Sequence, residues 1–185
     1  MGDARSLGSS APATIPGNYL GIVNGSLKCV GLVQMYKIRR DGLTRLVAVD
    51  RVGTLNVERH HLTSPEQLEL LPNVAAGLCI MRNMGLAVVV ITNQSAVDRG
   101  YVDLLTLERI HSRLRYLLSK SGAILDVIYI CPHLPQKRCN CRKPGTALLR
   151  QAARDFGADP KRAFVIGDQR LTSRWGFEQA QRPFW

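Results

Sequence analysis

The chain has 185 residues, 45% of them hydrophobic, and 25 lysines and arginines against 14 aspartates and glutamates, for a formal net charge of +11. That is enough apolar material for one packed domain. No apolar run reaches the ~18 residues of a membrane span, and the start, 1-MGDARSLGSSAPATIPG-17, lacks the apolar stretch of a secretory signal, so the expectation is a cytoplasmic protein with no membrane span.

The basic excess is uneven. Residues 50–130 carry eight basic and eight acidic side chains, whereas residues 131–185 carry eleven basic and four acidic ones. A basic surface suits anionic partners: a phosphorylated metabolite, nucleic acid or an acidic membrane.

In chain order, residues 1–45 read as an N-terminal extension, disordered over 1–17, with apolar patches at 19-YLGIV-23 and 30-VGLVQMY-36 that suit short strands or a hairpin. The main domain is expected over 46–185. It opens on the strand 46-LVAVD-50. Ser64-Pro65-Glu66-Gln67 has the form of a helix start, with Ser as N-cap, Pro at the first helical position and Gln three residues on. A helix is predicted over about 74–84, closed by Gly85, followed by the wholly apolar strand 86-LAVVVITN-93. Leu107, Ile110, Leu114 and Leu117 recur at helical spacing over 104–118, with Gly122 as the stop. The strand 125-LDVIYIC-131, the helix 145-GTALLRQAARDFG-157 and the strand 163-AFVIGD-168 complete the series. Four strand–helix units in a row predict an α/β, Rossmann-like fold: a parallel sheet with helices on both faces and ligands at the carboxyl ends of the strands.

Polar residues fall at those strand ends. Asp50 is followed by Gly53-Thr54, Thr92-Asn93 end the next strand, Lys143 follows the third and Asp168 ends the last. A carboxylate can attack phosphorus. A pair of carboxylates can hold Mg²⁺ against a phosphate, and a lysine can stabilise the equatorial oxygens. Together the four groups suit phosphoryl transfer.

In 131-CPHLPQKRCNC-141 the spacing is C-x-H-x₅-C-x-C. Cys131, His133, Cys139 and Cys141 make a three-thiolate, one-imidazole set, the usual donor set of a structural Zn²⁺ with no open position. Such a loop, folded on its metal, would aim Arg142 and Lys143. Cys79 reads as a core residue of its helix, and His111, between basic neighbours, as a solvated one.

The order DxxGT, TNQS, CRKP, GD resembles the haloacid dehalogenase superfamily of phosphatases. More narrowly, 65-PEQLELLPNV-74, 91-ITNQSAVDRG-100 and 131-CPHLPQKRCNCRKP-144 are similar to its histidinol-phosphate and heptose-bisphosphate phosphatase branch. The resemblance covers about residues 46–172. It implies that Asp50 is the nucleophile and a Mg²⁺ ligand. It implies that Thr54, Thr92, Asn93, Gln94 and Ser95 bind phosphate and substrate, and that Arg142 and Lys143 clamp the phosphoryl group. Asp168 would be the second Mg²⁺ carboxylate, with the backbone carbonyl of Val52 as a further ligand. Residues 58-ERHH-61 fall where the family's substrate loop lies without matching a specific pattern.

The chain departs from the family in three ways. The first motif is DxDGT in the family and Asp50-Arg51-Val52-Gly53-Thr54 here, so Val52 stands where the general acid and base should be. Acid–base help contributes about 10²–10⁴-fold, and valine transfers no proton. Gln169 and Thr172 replace a lysine and a carboxylate that the family places after Asp168. The C-terminal edge is expected to be shortened, leaving Trp175, Phe177, Phe184 and Trp185 exposed or packed on the sheet.

The resulting expectation is a Mg²⁺-dependent phosphatase acting on a small sugar phosphate, heptose bisphosphate ahead of histidinol phosphate, with turnover impaired by Val52 and a monomer favoured. The alternatives are a catalytically silent, zinc-stabilised phosphate-binding module and a phosphatase acting on nucleic-acid ends.

Overall fold

The computed structural model describes residues 44–168 in full and, for the segments 19–23 and 26–30, the backbone. Six strands form one sheet in the order β1-β2-β5-β4-β3-β6. They are β1 (Tyr19–Val23), β2 (Ser26–Val30), β3 (Arg45–Val49), β4 (Leu86–Asn93), β5 (Val127–Cys131) and β6 (Phe164–Ile166). The last four run parallel. The helices are α1 (Val74–Asn83), α2 (Leu104–Ser119) and α3 (Ala147–Asp155).

Alternation along the strands builds two cores. Val47 and Val49 of β3, Val88 and Val90 of β4, and Ile128 and Ile130 of β5 face one side, where Leu78 of α1 and Leu107, Ile110, Leu114 and Leu118 of α2 cover them. Leu46, Ala48, Ala87, Val89, Ile91 and Tyr129 face the other, under Leu148, Leu149, Ala152 and Ala153 of α3. Every described strand residue between Leu46 and Val49 is buried, as are Leu86 to Thr92 and Val127 to Cys131. This is the signature of a sheet covered on both faces. At about 25 cal/mol per Å² of apolar surface, these layers are the main favourable term in folding.

Several boundaries differ from expectation. The patch 19–23, expected as a short strand or part of a hairpin, is β1 of an antiparallel hairpin with β2, and β2 adds antiparallel to β5 through Lys28–Tyr129, Cys29–Ile128 and Val30–Val127. Its second strand is Ser26–Val30; the rest of the patch 30–36 lies outside the described residues. Pro65–Gln67 forms only one 3₁₀ turn, although the backbone N–H groups of Thr63 and Ser64 do donate to Gln67 Oε1. β5 starts at Val127 because Asp126 turns inward, accepting from Val88 N–H at 2.7 Å and from Arg82 Nη1 at 2.6 Å. The tail 1–17, Gln169, Thr172 and the C-terminal aromatics lie outside the described residues. Among the described residues no helix is long and apolar enough to cross a membrane.

Candidate active site

The site is built where β3, β4 and β5 end. The Asp50 backbone N–H continues the β3–β6 ladder by donating to Ile166 O at 2.8 Å, which fixes Asp50 at the strand tip. The chain then turns tightly: Arg51 O accepts from the N–H groups of Leu55 and Asn56 at 2.8 and 3.1 Å, and Gly53 N–H donates to Asn56 O. Gly53 has φ +73°, and a Cβ there would collide with the carboxylate of Asp168. The glycine therefore serves two ends: it makes the turn and lets the last strand's acid sit against the first strand's loop.

Asp50 is held at both oxygens. Oδ1 accepts from Arg51 N–H at 2.7 Å, and Oδ2 forms an ion pair with Lys143 Nζ. Lys143 is 5% exposed. Burial lowers its pKa, opposed by the neighbouring Asp50 and then Asp168 carboxylates. Asn93 determines where Lys143 sits: its Oδ1 accepts from Lys143 N–H at 3.0 Å and its Nδ2 faces Lys143 O at 3.4 Å. The Asn93 amide, expected at the substrate, is thus turned onto the Lys143 peptide. Arg142 Nη1 donates to His133 O at 3.2 Å, in the Cys/His loop.

A cavity of about 190 Å³ opens above these groups. Asp50, Val52, Thr92, Asn93, Gln94, Ser95, Arg142 and Lys143 line it, together with Arg51, Asn56 and the strap Glu58–Leu62. Eight of the sequence-predicted residues are thereby brought to one cavity. Thr54 and Asp168 do not line it, and among the described residues Thr54 Oγ1 is buried without a hydrogen-bond partner. Val52 contributes an apolar side chain to a wall that is otherwise largely polar.

Sequence reasoning missed two groups. Arg51 is 1% exposed: Nη2 donates to Gln94 Oε1 at 3.1 Å, and Nη1 lies 3.3 Å from His111 Nε2. Burial pulls the Arg51 pKa down to about 10, with Asp50 and Glu58 opposing, so it stays charged at neutral pH. His111 is not solvated; it is buried beneath the site, and burial followed by the Arg51 and Arg115 charges holds its pKa well below the ordinary value.

Cys131, His133, Cys139 and Cys141 converge, with their donor atoms all within 4.8 Å of one another. The Sγ–Sγ separations are 3.2–3.5 Å, and His133 Nδ1 lies 3.7 Å from Cys131 Sγ and 3.2 Å from Cys141 Sγ. A zinc tetrahedron with the usual bond lengths has edges of about 3.6–3.8 Å, so small outward shifts would admit the ion. Burial pushes the Cys131 thiol up, so its thiolate needs a cation beside it. Asp98 ties the loop back to β4's extension, accepting from Leu134 N–H at 2.9 Å and from Lys137 Nζ at 2.7 Å. Cys79, expected in the core, is only partly buried at its margin, with Sγ 4.0 Å from Ser121 O.

These features define a haloacid dehalogenase-type site, and the HAD-hydrolase-like family model matches residues 140–172. The chain belongs to the haloacid dehalogenase-like phosphatases, in the branch of the heptose-bisphosphate phosphatases. It is 35% identical over 124 residues to the D-glycero-β-D-manno-heptose-1,7-bisphosphate 7-phosphatase of Pseudomonas aeruginosa, covering 66% of this chain and 70% of that protein. Identity to the enzyme of the same name from Helicobacter pylori is 36% over 122 residues, or 65% and 70% of the two chains. Among solved structures, the D,D-heptose 1,7-bisphosphate phosphatase of B. bronchiseptica, complexed with magnesium and phosphate, superposes with a TM-score of 0.69 at 30% identity over 74% and 76% of the chains. The corresponding enzyme of Burkholderia thailandensis gives 0.55 at 26% identity, covering 74% of each chain.

Proposed function

We propose that the chain is a phosphatase for a small sugar-phosphate monoester, of the heptose-bisphosphate type, working through Asp50. The observation that carries this reading is the Asp50–Lys143 pair at the base of a cavity that Thr92 and Arg142 also line. A buried lysine against one carboxylate oxygen orients the carboxylate, as a nucleophile requires. Thr92 and Arg142 offer donors to the phosphoryl oxygens. The relatives' names and the superposition on a magnesium- and phosphate-bound enzyme support the substrate class.

An Asp50 oxygen attacks phosphorus, the phosphorus–oxygen bond to the sugar breaks, and the alkoxide takes up a proton. Water then attacks the acyl-phosphate, loses a proton, and phosphate leaves with Asp50 restored. Val52 neither gives the first proton nor takes the second, so the alkoxide draws its proton from solvent, the attacking water loses its proton to solvent, and turnover is slow. Asp50, Asp168 and the carbonyl of Val52 are hard oxygen donors that suit Mg²⁺, and the bare Cα of Gly53 leaves room for Asp168 beside the nucleophile loop. When bound, Mg²⁺ would neutralise phosphate charge. The four-ligand loop would hold Zn²⁺ as a structural ion, fixing Arg142 and Lys143.

Phosphate release from D-glycero-D-manno-heptose 1,7-bisphosphate, histidinol phosphate and other sugar phosphates, with and without Mg²⁺, tests the reading. The expected result is slow, Mg²⁺-dependent release that Asp50→Asn abolishes. Release unchanged in Asp50→Asn would refute it. Val52 favours a second reading, a silent phosphate-binding module, which predicts phosphate affinity with no release from any substrate.

A further inference from the structure

His111, on α2, is 2% exposed and meets Arg51, 60 positions away in sequence, directly beneath the cavity. We propose that His111 is a positioning residue for the phosphoryl site, fixing through Arg51 and Gln94 the direction in which the Thr92 hydroxyl donates. The inference rests on the phosphatase reading above and deepens it.

The direction of each bond follows from what each group can do. A guanidinium only donates. Arg51 Nη1, 3.3 Å from His111 Nε2, therefore requires that nitrogen to be the unprotonated acceptor. Arg51 Nη2 donates to Gln94 Oε1 at 3.1 Å, which fixes the orientation of the Gln94 amide. Its remaining groups are N–H donors, and Nε2 donates to Thr92 Oγ1 at 2.9 Å. Thr92 Oγ1 is an acceptor on that side, so its one proton is left for another acceptor. Thr92 lines the cavity with Asp50 and Lys143, where the oxygens of a phosphoryl group accept only.

The surroundings keep the relay in this sense. Among the described residues Arg51 Nε has no hydrogen-bond partner, so the contacts at Nη1 and Nη2 orient the guanidinium. Burial and the charges of Arg51 and Arg115 disfavour a second proton on His111. Glu108, the acid on the same helix, has Oε2 3.9 Å from Nδ1 and pairs with Arg115 at 3.3 Å. A protonated ring would set an Nε2–H against an Arg51 N–H, two donors facing each other. A residue that merely fills the core would not link burial on α2 to hydroxyl direction on β4.

A double-mutant cycle on the full, zinc-loaded chain, read by calorimetric affinity for inorganic phosphate with Mg²⁺ present, tests the relay. His111→Phe should weaken binding about tenfold, the worth of one hydrogen bond to a charged acceptor. Thr92→Val should weaken it similarly, and the double variant should be no weaker than Thr92→Val alone. His111→Gln, which keeps an acceptor, should recover most of the affinity. Losses that add in the double variant, or a His111→Gln as weak as His111→Phe, would overturn the proposal.

If His111→Phe does not fold, ¹⁵N-histidine spectra of the unaltered protein decide the matter. An unprotonated His111 Nε2 between about pH 6 and 8 supports the relay, and a protonated Nε2 there overturns it. Absence of phosphate release from heptose bisphosphate, with phosphate still bound, removes the phosphatase reading while the cycle stays readable. Absence of phosphate binding by the intact chain overturns both.

Discussion

On the phosphatase reading proposed above, replacing Val52 by aspartate supplies the proton-transfer group of the reaction. Val52 lines the cavity with Asp50 and is only half-buried, so the change removes little packing. The turn that carries it is held by backbone bonds, Gly53 N–H to Asn56 O and Leu55 N–H to Arg51 O, which a side chain at position 52 does not disturb. General acid–base help contributes about 10²–10⁴-fold, equivalent to roughly 3–5 kcal/mol of barrier. Val52→Asp should therefore raise kcat for phosphate release from heptose bisphosphate by about two to four orders of magnitude. Val52→Asn, of the same shape but without the proton, should leave it near the starting rate. KM should move much less than kcat, because Thr92, Arg142 and Lys143 are untouched. The pH profile should gain a limb that the natural chain lacks. The assay is steady-state phosphate release at saturating Mg²⁺ with the three proteins side by side. Equal rates for Val52→Asp and Val52→Asn would refute the assignment of the defect to position 52.

Other predictions follow from single contacts. Gly53→Ala puts a methyl into the Asp168 carboxylate and forces a positive φ on alanine, at about 1–2 kcal/mol of backbone strain, so the Mg²⁺-induced rise in melting temperature should shrink or vanish. Purified protein should contain about one zinc per chain by elemental analysis; chelation or Cys139→Ser should lower the melting temperature and weaken phosphate binding, since Arg142 is anchored to His133 O. Asp126→Ala removes the carboxylate that pairs with Arg82 and accepts from the Val88 N–H, and urea unfolding should show a loss of about 3–5 kcal/mol. His111 also predicts a pH dependence. Its folded pKa is depressed, so below about 6.5 the unfolded chain binds the extra proton and stability falls with pH, by up to about 1.4 kcal/mol per unit. Stability above that range should be unaffected, and His111→Gln should remove this component from the slope measured by urea unfolding.

The four parallel strands were legible because each is a β-branched, apolar run ending in a polar residue, and a two-sided sheet demands that pattern. The convergence of Cys131, His133, Cys139 and Cys141 was legible because four soft or imidazole donors fall within eleven positions. The hairpin of β1 and β2 was legible only in part, since its pairing to β5 depends on partners about a hundred residues away. His111 was misread from its basic neighbours. The signal was present, because His111 lies on the stripe Leu107, His111, Leu114, Leu118, and all four are buried. Arg51 carried no such signal: an arginine beside a strand-end acid reads as solvated until the residue that accepts its hydrogen bonds is known. The Asn93 amide could not be assigned from sequence because its partner is a peptide group, which every residue offers.

Cys131 has a consequence for how such a chain tolerates change. It is at once the last residue of β5, a member of the α3-side core and the first residue of the Cys/His cluster. Altering it disturbs sheet, core and loop together, so selection for a folded chain alone retains it. Position 52 is under no such constraint: its neighbours are fixed by backbone bonds and its side chain meets the cavity. A substitution at position 52 therefore leaves the sheet, the core and the Cys/His cluster in place, whereas one at position 131 touches all three.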